Sequence, residues 1–261
     1  MKIEIRGLSL NVDKRGSGEP AIVFLHYWGG TSRTWTKVVA ELQGKFTTVA
    51  YDARGWGQSD KPPIGYKLTD LADEALSLVD KLGIKTYFLV GHSLGGKISQ
   101  LIASRNAEGL KGLVLVAPAP PTPLRFPDEA REIQIHAYEP RENVLQTISF
   151  LSARTPSPDI VEQIVEDSMS GSREATLAYP TGSILEDISS EVSKIRVPTL
   201  VLAGELDRVD SIEQHKREVV ARIQNAQFEI IRGSGHLIPI DEPVQLANAI
   251  ARFVERSASN N

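Results

Sequence analysis

The chain has 261 residues, 41% hydrophobic and 24% charged, with a formal net charge of −4 and no cysteine. That balance fits one globular α/β-sized domain with room for an insertion and offers no basic excess for nucleic acid or an anionic membrane. Without cysteine there is no disulfide, no thiolate metal site and no cysteine nucleophile.

Taken in chain order, Ile3, Ile5, Leu8 and Leu10 around Arg6-Gly7 read as an opening strand pair, with 14–18 (KRGSG) as a turn. This alternating start lacks the apolar core of a signal peptide, and no apolar stretch reaches the roughly 18 residues of a membrane span. A cytoplasmic protein is therefore expected. The run 21–26 (AIVFLH) is apolar almost throughout, as in a strand buried on both faces. A helix is expected over 32–42, a strand over 47–51, and a loop of turn formers over 52–59 (DARGWGQS). Leu71, Ala75, Leu78, Val79 and Leu82 keep helical spacing, then strand 86–90, helix 94–107 and strand 112–117 (GLVLVA) follow.

The alternation then stops. Prolines at 118, 120, 121, 123 and 127 precede helical patterns at 142–152 and 158–169, and the strand pattern resumes only at 199–203 (TLVLA). A helix over 212–223, a strand over 228–231, a last helix over 243–255 and a frayed tail at 257–261 complete the chain. Strands alternating with helices of ten or more residues imply a mainly parallel central sheet with helices on both faces, in the α/β class. The expected organisation is a core of 1–117 and 197–261, with a helical insertion at 118–196 after the sixth strand. Sites in such sheets gather at the carboxyl ends of strands.

One of those ends carries Gly91-His92-Ser93-Leu94-Gly95 between a strand and a helix. A G-x-S-x-G turn in this setting is sharp and strained, and it lifts the serine above the sheet. The helix behind it aims N–H groups at the same place. A bare serine hydroxyl needs a base. Among the five histidines, His236 lies in a glycine-rich loop (RGSGH) between the last strand and the last helix, and is the candidate base. The base needs an acid to fix its tautomer. Asp207, in the loop after 199–203, is the choice, with Glu205 and Asp210 as rivals on the same loop. For the oxyanion, the donors expected are the N–H of Leu94 and the backbone N–H of Trp28 in the loop after 21–26. Tyr27 and His92 are assigned to substrate contact.

With these residues in place the chain resembles the α/β-hydrolase family. The resemblance rests on G-H-S-L-G at 91–95, the chain order Ser93, Asp207, His236, the helical insertion after the sixth strand, and 52–59, which is similar to the family's D-x-R-G-x-G-x-S loop. That loop is expected to support the site structurally. Among subgroups the chain looks most like small esterases, cofactor-free haloperoxidases or perhydrolases, and enol-lactonases. Relatives usually have His-Gly where this chain has His26-Tyr27, so the loop is expected to be re-formed around Gly29-Gly30, with the Tyr27 hydroxyl available to the pocket.

The resemblance implies acyl transfer by a Ser-Asp-His triad on a small-molecule ester or lactone, with no metal or organic cofactor, and a cap over Ser93 that sets specificity. A serine at position 93 does not favour the dehalogenase and epoxide-hydrolase branches, which use aspartate. C–C bond hydrolysis, perhydrolysis or acyl transfer on the same triad remain alternatives. So does a slow-turnover ligand receptor on the same fold.

Overall fold

Strands that are apolar at every position have no solvent face, so the sheet they form has to be covered on both sides. The computed structural model describes residues 1–259. Its strands are β1 (Lys2–Ile5), β2 (Leu8–Arg15), β3 (Ala21–Leu25), β4 (Thr47–Tyr51), β5 (Tyr87–His92), β6 (Leu110–Val116), β7 (Thr199–Gly204) and β8 (Gln227–Ile231). They form one sheet in the order β1-β2-β4-β3-β5-β6-β7-β8. From β4 to β8 all neighbours are parallel. The opening hairpin is antiparallel and joins β4 through β2. Lys14 and Arg15 pair with Val49 and Thr48, so β2 runs into the segment read as a turn. The ladder to β4 outweighs the local turn signal there.

Successive residues of the central strands enter two different cores. Val23 and Leu25 of β3, Leu89 of β5, Leu113 and Leu115 of β6 and Val201 of β7 face one side. They pack against α2 (Leu68–Lys81) and α3 (Leu94–Ser104). Ile22, Phe24, Phe88, Val90, Val114, Val116, Leu200 and Leu202 face the other. They meet α1 (Thr36–Leu42) and the last helix, Pro243–Ser259. The period-2 geometry of a strand turns a continuous apolar run into two cores.

Between β6 and β7 lie α4 (Asp128–Ile135), α5 (Arg141–Leu151), α6 (Pro158–Met169), α7 (Arg173–Ala178) and the short α8 (Ser189–Val192). This is the cap region after the sixth strand. Pro158 opens α6 at its first turn, where its missing N–H costs nothing. After β7 come α9 (Ile212–Glu218), a 3-10 turn at Val220–Arg222, β8, α10 (Ile238–Asp241) and α11 (Pro243–Ser259). The helix expected over 212–223 thus breaks at Val219. The last helix runs through Ser257, which is buried rather than frayed; residues 260 and 261 of the expected tail lie outside the described residues. Among the described residues no helix is long and apolar enough to cross a membrane.

One close backbone approach in this frame lies at the start of α3. A Cβ on Gly95 would sit 2.4 Å from the Leu25 carbonyl oxygen and 2.6 Å from that of His26. Both atoms are backbone and cannot swing aside. Gly95→Ala should therefore destabilise the protein by about 1–3 kcal/mol in urea unfolding, the usual cost of forcing atoms into a filled core. Gly44→Ala, where an added Cβ meets nothing within 4 Å, should stay within about 0.5 kcal/mol of the parent.

Candidate active site

Ser93 sits between β5 and α3 with φ 51° and ψ −114°. A non-glycine residue there is strained by on the order of 1–3 kcal/mol and persists only where its surroundings dictate it. Here the surroundings are hydrogen bonds on both sides. The Ser93 N–H donates to the Val116 carbonyl at 3.1 Å, and the Ser93 carbonyl accepts from Lys97 N–H at 3.1 Å and from Ala119 N–H at 3.0 Å. A Cβ on Gly91 would come within 2.3 Å of the Gly95 carbonyl oxygen, which explains the glycine at that end of the motif. The Leu94 N–H belongs to the first turn of α3, where backbone donors have no intrahelical acceptor.

His236 is 3% exposed and lines the same cavity as Ser93. Its Nδ1 lies 2.8 Å from Asp207 Oδ2. Asp207 Oδ1 accepts from the N–H groups of Val209 at 2.7 Å and Asp210 at 3.2 Å. Burial presses His236 toward its neutral form, but the Asp207 carboxylate outweighs it, with Asp210 adding, and the pKa stands above the ordinary histidine value. Burial likewise opposes the charge on Asp207. His236 and the two N–H donors prevail, and its pKa falls below the usual aspartate value. The rival acids go elsewhere: Glu205 Oε2 accepts the Gly233 N–H at 2.9 Å, and Asp210 Oδ1 accepts from Gln214 Nε2 at 2.6 Å.

The His236 loop is fixed from several directions. Its N–H donates to the Leu151 carbonyl at the end of α5, at 2.8 Å. The neighbouring Gly235 N–H donates to Asp241 Oδ2 at 2.8 Å. The His236 carbonyl accepts from His92 Nε2, also at 2.8 Å, which fixes the proton of His92 on that nitrogen. His92 is fully buried, and burial together with His236 drives its pKa down to about 3. It is absent from the cavity wall. The assigned substrate contact for His92 does not match this placement: the side chain points behind the site and anchors the backbone of His236.

The loop after β3 carries Tyr27, Trp28, Gly29 and Gly30. The positive φ, 93°, falls on Gly29, and Tyr27 has none. A tyrosine is therefore tolerated at position 27. Tyr27 is buried and lines the cavity, with its hydroxyl near Ser168 of α6. The Trp28 N–H makes no hydrogen bond among the described residues. Its indole is held from the cap: Nε1 donates to the Thr176 carbonyl at 3.1 Å, and the ring lies 4.4 Å from that of Tyr138 and 4.9 Å from that of Tyr179, centre to centre. The Tyr138 hydroxyl donates to the Trp28 carbonyl, and the Ser168 hydroxyl donates to the Gly29 carbonyl at 2.9 Å. Nothing in the sequence of the insertion marks these four cap residues.

The loop 52–59 supports this one from below. Asp52 Oδ1 accepts from the Ser32 N–H at 2.8 Å, and Oδ2 from Asn11 Nδ2 and the Gln58 N–H, each at 3.0 Å. His26 Nε2 accepts from the Ala53 N–H at 3.0 Å, so Nδ1 carries the proton and donates to the Tyr27 carbonyl at 2.7 Å. Burial lowers the pKa of His26 and keeps this neutral form.

The cavity measures about 880 Å³. Trp28, Leu124, Phe150, Tyr179 and Val209 give it an apolar wall, with Ser93 and His236 exposed to its interior. An imidazole held by a carboxylate, a serine on a strained corner and free N–H groups beside it can together move a proton and stabilise an oxyanion. Among the described residues no group of three or more His, Asp or Glu side chains is arranged to hold a metal ion.

A family model described as alpha/beta hydrolase fold matches residues 20–243. The chain belongs to this family. Across 92% of its length it is 27% identical to a putative non-heme chloroperoxidase of Synechocystis sp., of which the match also covers 92%. It is 26% identical to 3-oxoadipate enol-lactonase 2 of Acinetobacter baylyi over 95% of this chain and 94% of that one. An esterase from Exiguobacterium antarcticum superposes with a TM-score of 0.89 at 22% identity, covering 96% of this chain and 97% of the other, a likeness of fold. The hydrolase fold accounts for the mostly parallel sheet and the cap after β6.

The balance at His236 is directly measurable. In nitrogen NMR of the imidazole rings, His236 should titrate above the usual histidine value of about 6.5. In Asp207→Asn it should titrate lower than in the wild type, since burial is then opposed by the Asp210 carboxylate alone. An unchanged titration would mean that Asp207 does not hold the proton there.

Proposed function

We propose that this hydrolase cleaves carboxylic esters or lactones through an acyl-enzyme intermediate, with Ser93 as nucleophile, His236 as base and Asp207 as orienting acid. The observation that carries this reading is the 2.8 Å pair of His236 and Asp207 opening on the same cavity as a serine held at φ 51°. Ser93 Oγ attacks the carbonyl carbon while His236 Nε2 takes its proton. The Nδ1–H bond to Asp207 orients the ring and stabilises the imidazolium. In this structure no hydrogen bond closes between Ser93 Oγ and His236 among the described residues, and such catalytic contacts tighten in the Michaelis complex. The N–H groups of Leu94 and Trp28 receive the oxyanion. His236 then gives its proton to the leaving alcohol, and water, activated by the same base, releases the acid and restores Ser93.

The segment 118–196 acts in this reading as the cap that closes the cavity and sets acyl and alcohol preference. The names of the enol-lactonase and esterase relatives support a small-molecule ester or lactone as substrate class.

Wild-type protein should turn over p-nitrophenyl acetate many times and take one fluorophosphonate adduct by intact mass. Ser93→Ala should lose both, with kcat reduced by on the order of 10⁴-fold or more. A single labelled turnover followed by arrest would turn the reading toward a ligand receptor. Equal background rates and no adduct would remove Ser93 from the chemistry.

A further inference from the structure

One acid in the cavity wall has no part in the proton transfers. Asp210 follows Asp207 by three residues, lines the cavity and is 3% exposed. Its Oδ1 accepts the Gln214 amide at 2.6 Å. Its Oδ2 makes no hydrogen bond among the described residues. It is not a second orienting acid, because the Nδ1 of His236 is already engaged by Asp207. Nor does it form an ion pair. Arg208 also lines the cavity, but this guanidinium is exposed and reaches only the Ser149 carbonyl, at 3.4 Å. A solvated arginine contributes little to a buried charge.

A carboxylate oxygen can accept two hydrogen bonds, and with Oδ1 engaged by Gln214 the Oδ2 acceptor is left for a group inside the cavity that Asp210 lines. Burial pushes the Asp210 pKa up to about 7, against the attraction of His236 and with the repulsion of Asp207. Apolar pockets take orientation and selectivity from a few polar points of this kind. We infer that Asp210 determines specificity: its free oxygen accepts a hydrogen bond from an uncharged donor on the substrate, a hydroxyl or an amide N–H, and it selects against esters and lactones that carry a carboxylate.

The physics behind the two halves differs. A neutral donor fills the empty acceptor without bringing charge into the cavity. A substrate carboxylate would face Asp210 and Asp207 in a low-dielectric space, where like charges repel far more strongly than in water. This inference rests on the ester or lactone reading above, and deepens it by naming the kind of substrate.

The test uses two matched series at pH 8, one varying the acyl side and one the alcohol side. The first is p-nitrophenyl butyrate, 3-hydroxybutyrate and hemisuccinate. The second is propyl butyrate, 2-hydroxyethyl butyrate and butyryloxyacetate. Within each enzyme, kcat/KM is taken relative to the apolar member, so that any effect of a substitution on His236 cancels. In at least one series the wild type should favour the hydroxyl ester over the carboxylate ester by 100-fold or more. Asp210→Asn, which keeps an oxygen for Gln214 but presents an amide N–H to the cavity, should compress that ratio at least tenfold. Asp210→Ser serves as a second variant, and a fluorophosphonate adduct on Ser93 reports that either variant is folded at the site.

Ratios near unity in both series for the wild type, or ratios unchanged within twofold in a variant that labels, would overturn the role of Asp210 while leaving the hydrolase reading intact. A wild type that neither hydrolyses any of the six esters nor labels at Ser93 would overturn both.

Discussion

The arrangement depends on holding one residue in a conformation that its side chain opposes. Ser93 has a positive φ because three backbone hydrogen bonds, from β6, from the segment after it and from the first turn of α3, leave its peptide groups no other direction. The same turn brings α3 against the ends of β3, with Gly95 packed on the Leu25 and His26 carbonyls. The sheet interior is rigid because each central strand feeds two cores, and that rigidity offsets the strain. A looser sheet would let Ser93 relax and draw its hydroxyl back from the cavity.

The cap is part of the same framework. The carbonyls of Trp28 and Gly29 are satisfied by Tyr138 and Ser168, the indole of Trp28 by Thr176, and the N–H of His236 by Leu151. Both loops that flank Ser93 are thus fixed by residues between β6 and β7. Trp28 between Tyr138 and Tyr179 adds aromatic contacts of about 0.5–1.5 kcal/mol each beyond area burial. The separation usual in describing such folds, catalytic core below and specificity cap above, is blurred here by hydrogen bonds that cross it.

What could be read from the sequence was what is local. Strand 21–26 announced itself by a continuous apolar run, and the turn at 91–95 by glycines whose missing side chains the packing requires. His236 stood out because of the glycines before it and its place after the last strand. The choice among Glu205, Asp207 and Asp210 was less visible, since three acids within six residues carry no periodic signal. Only the path of the loop sends one to His236, one to Gly233 and one into the cavity wall. Tyr138, Ser168, Thr176 and Tyr179 were unreadable for a different reason. Their partners lie more than a hundred residues away, and nothing in the helical pattern of the insertion marks a side chain that will reach a distant carbonyl. His92 lies outside the cavity wall because a strand end turns neighbouring side chains to opposite faces and Ser93 takes the cavity side.

The bond from Tyr138 to the Trp28 carbonyl bears on how such proteins diversify. A cap transplanted from a relative would bring no hydroxyl to that carbonyl unless it also had a tyrosine at the right height, and the loop would lose a buried partner. Cap and loop form one inheritable unit. New substrate range is more readily reached by changing residues within this cap than by exchanging it whole, and a chimera that joins the two must carry the Tyr27–Gly30 loop across with the helices.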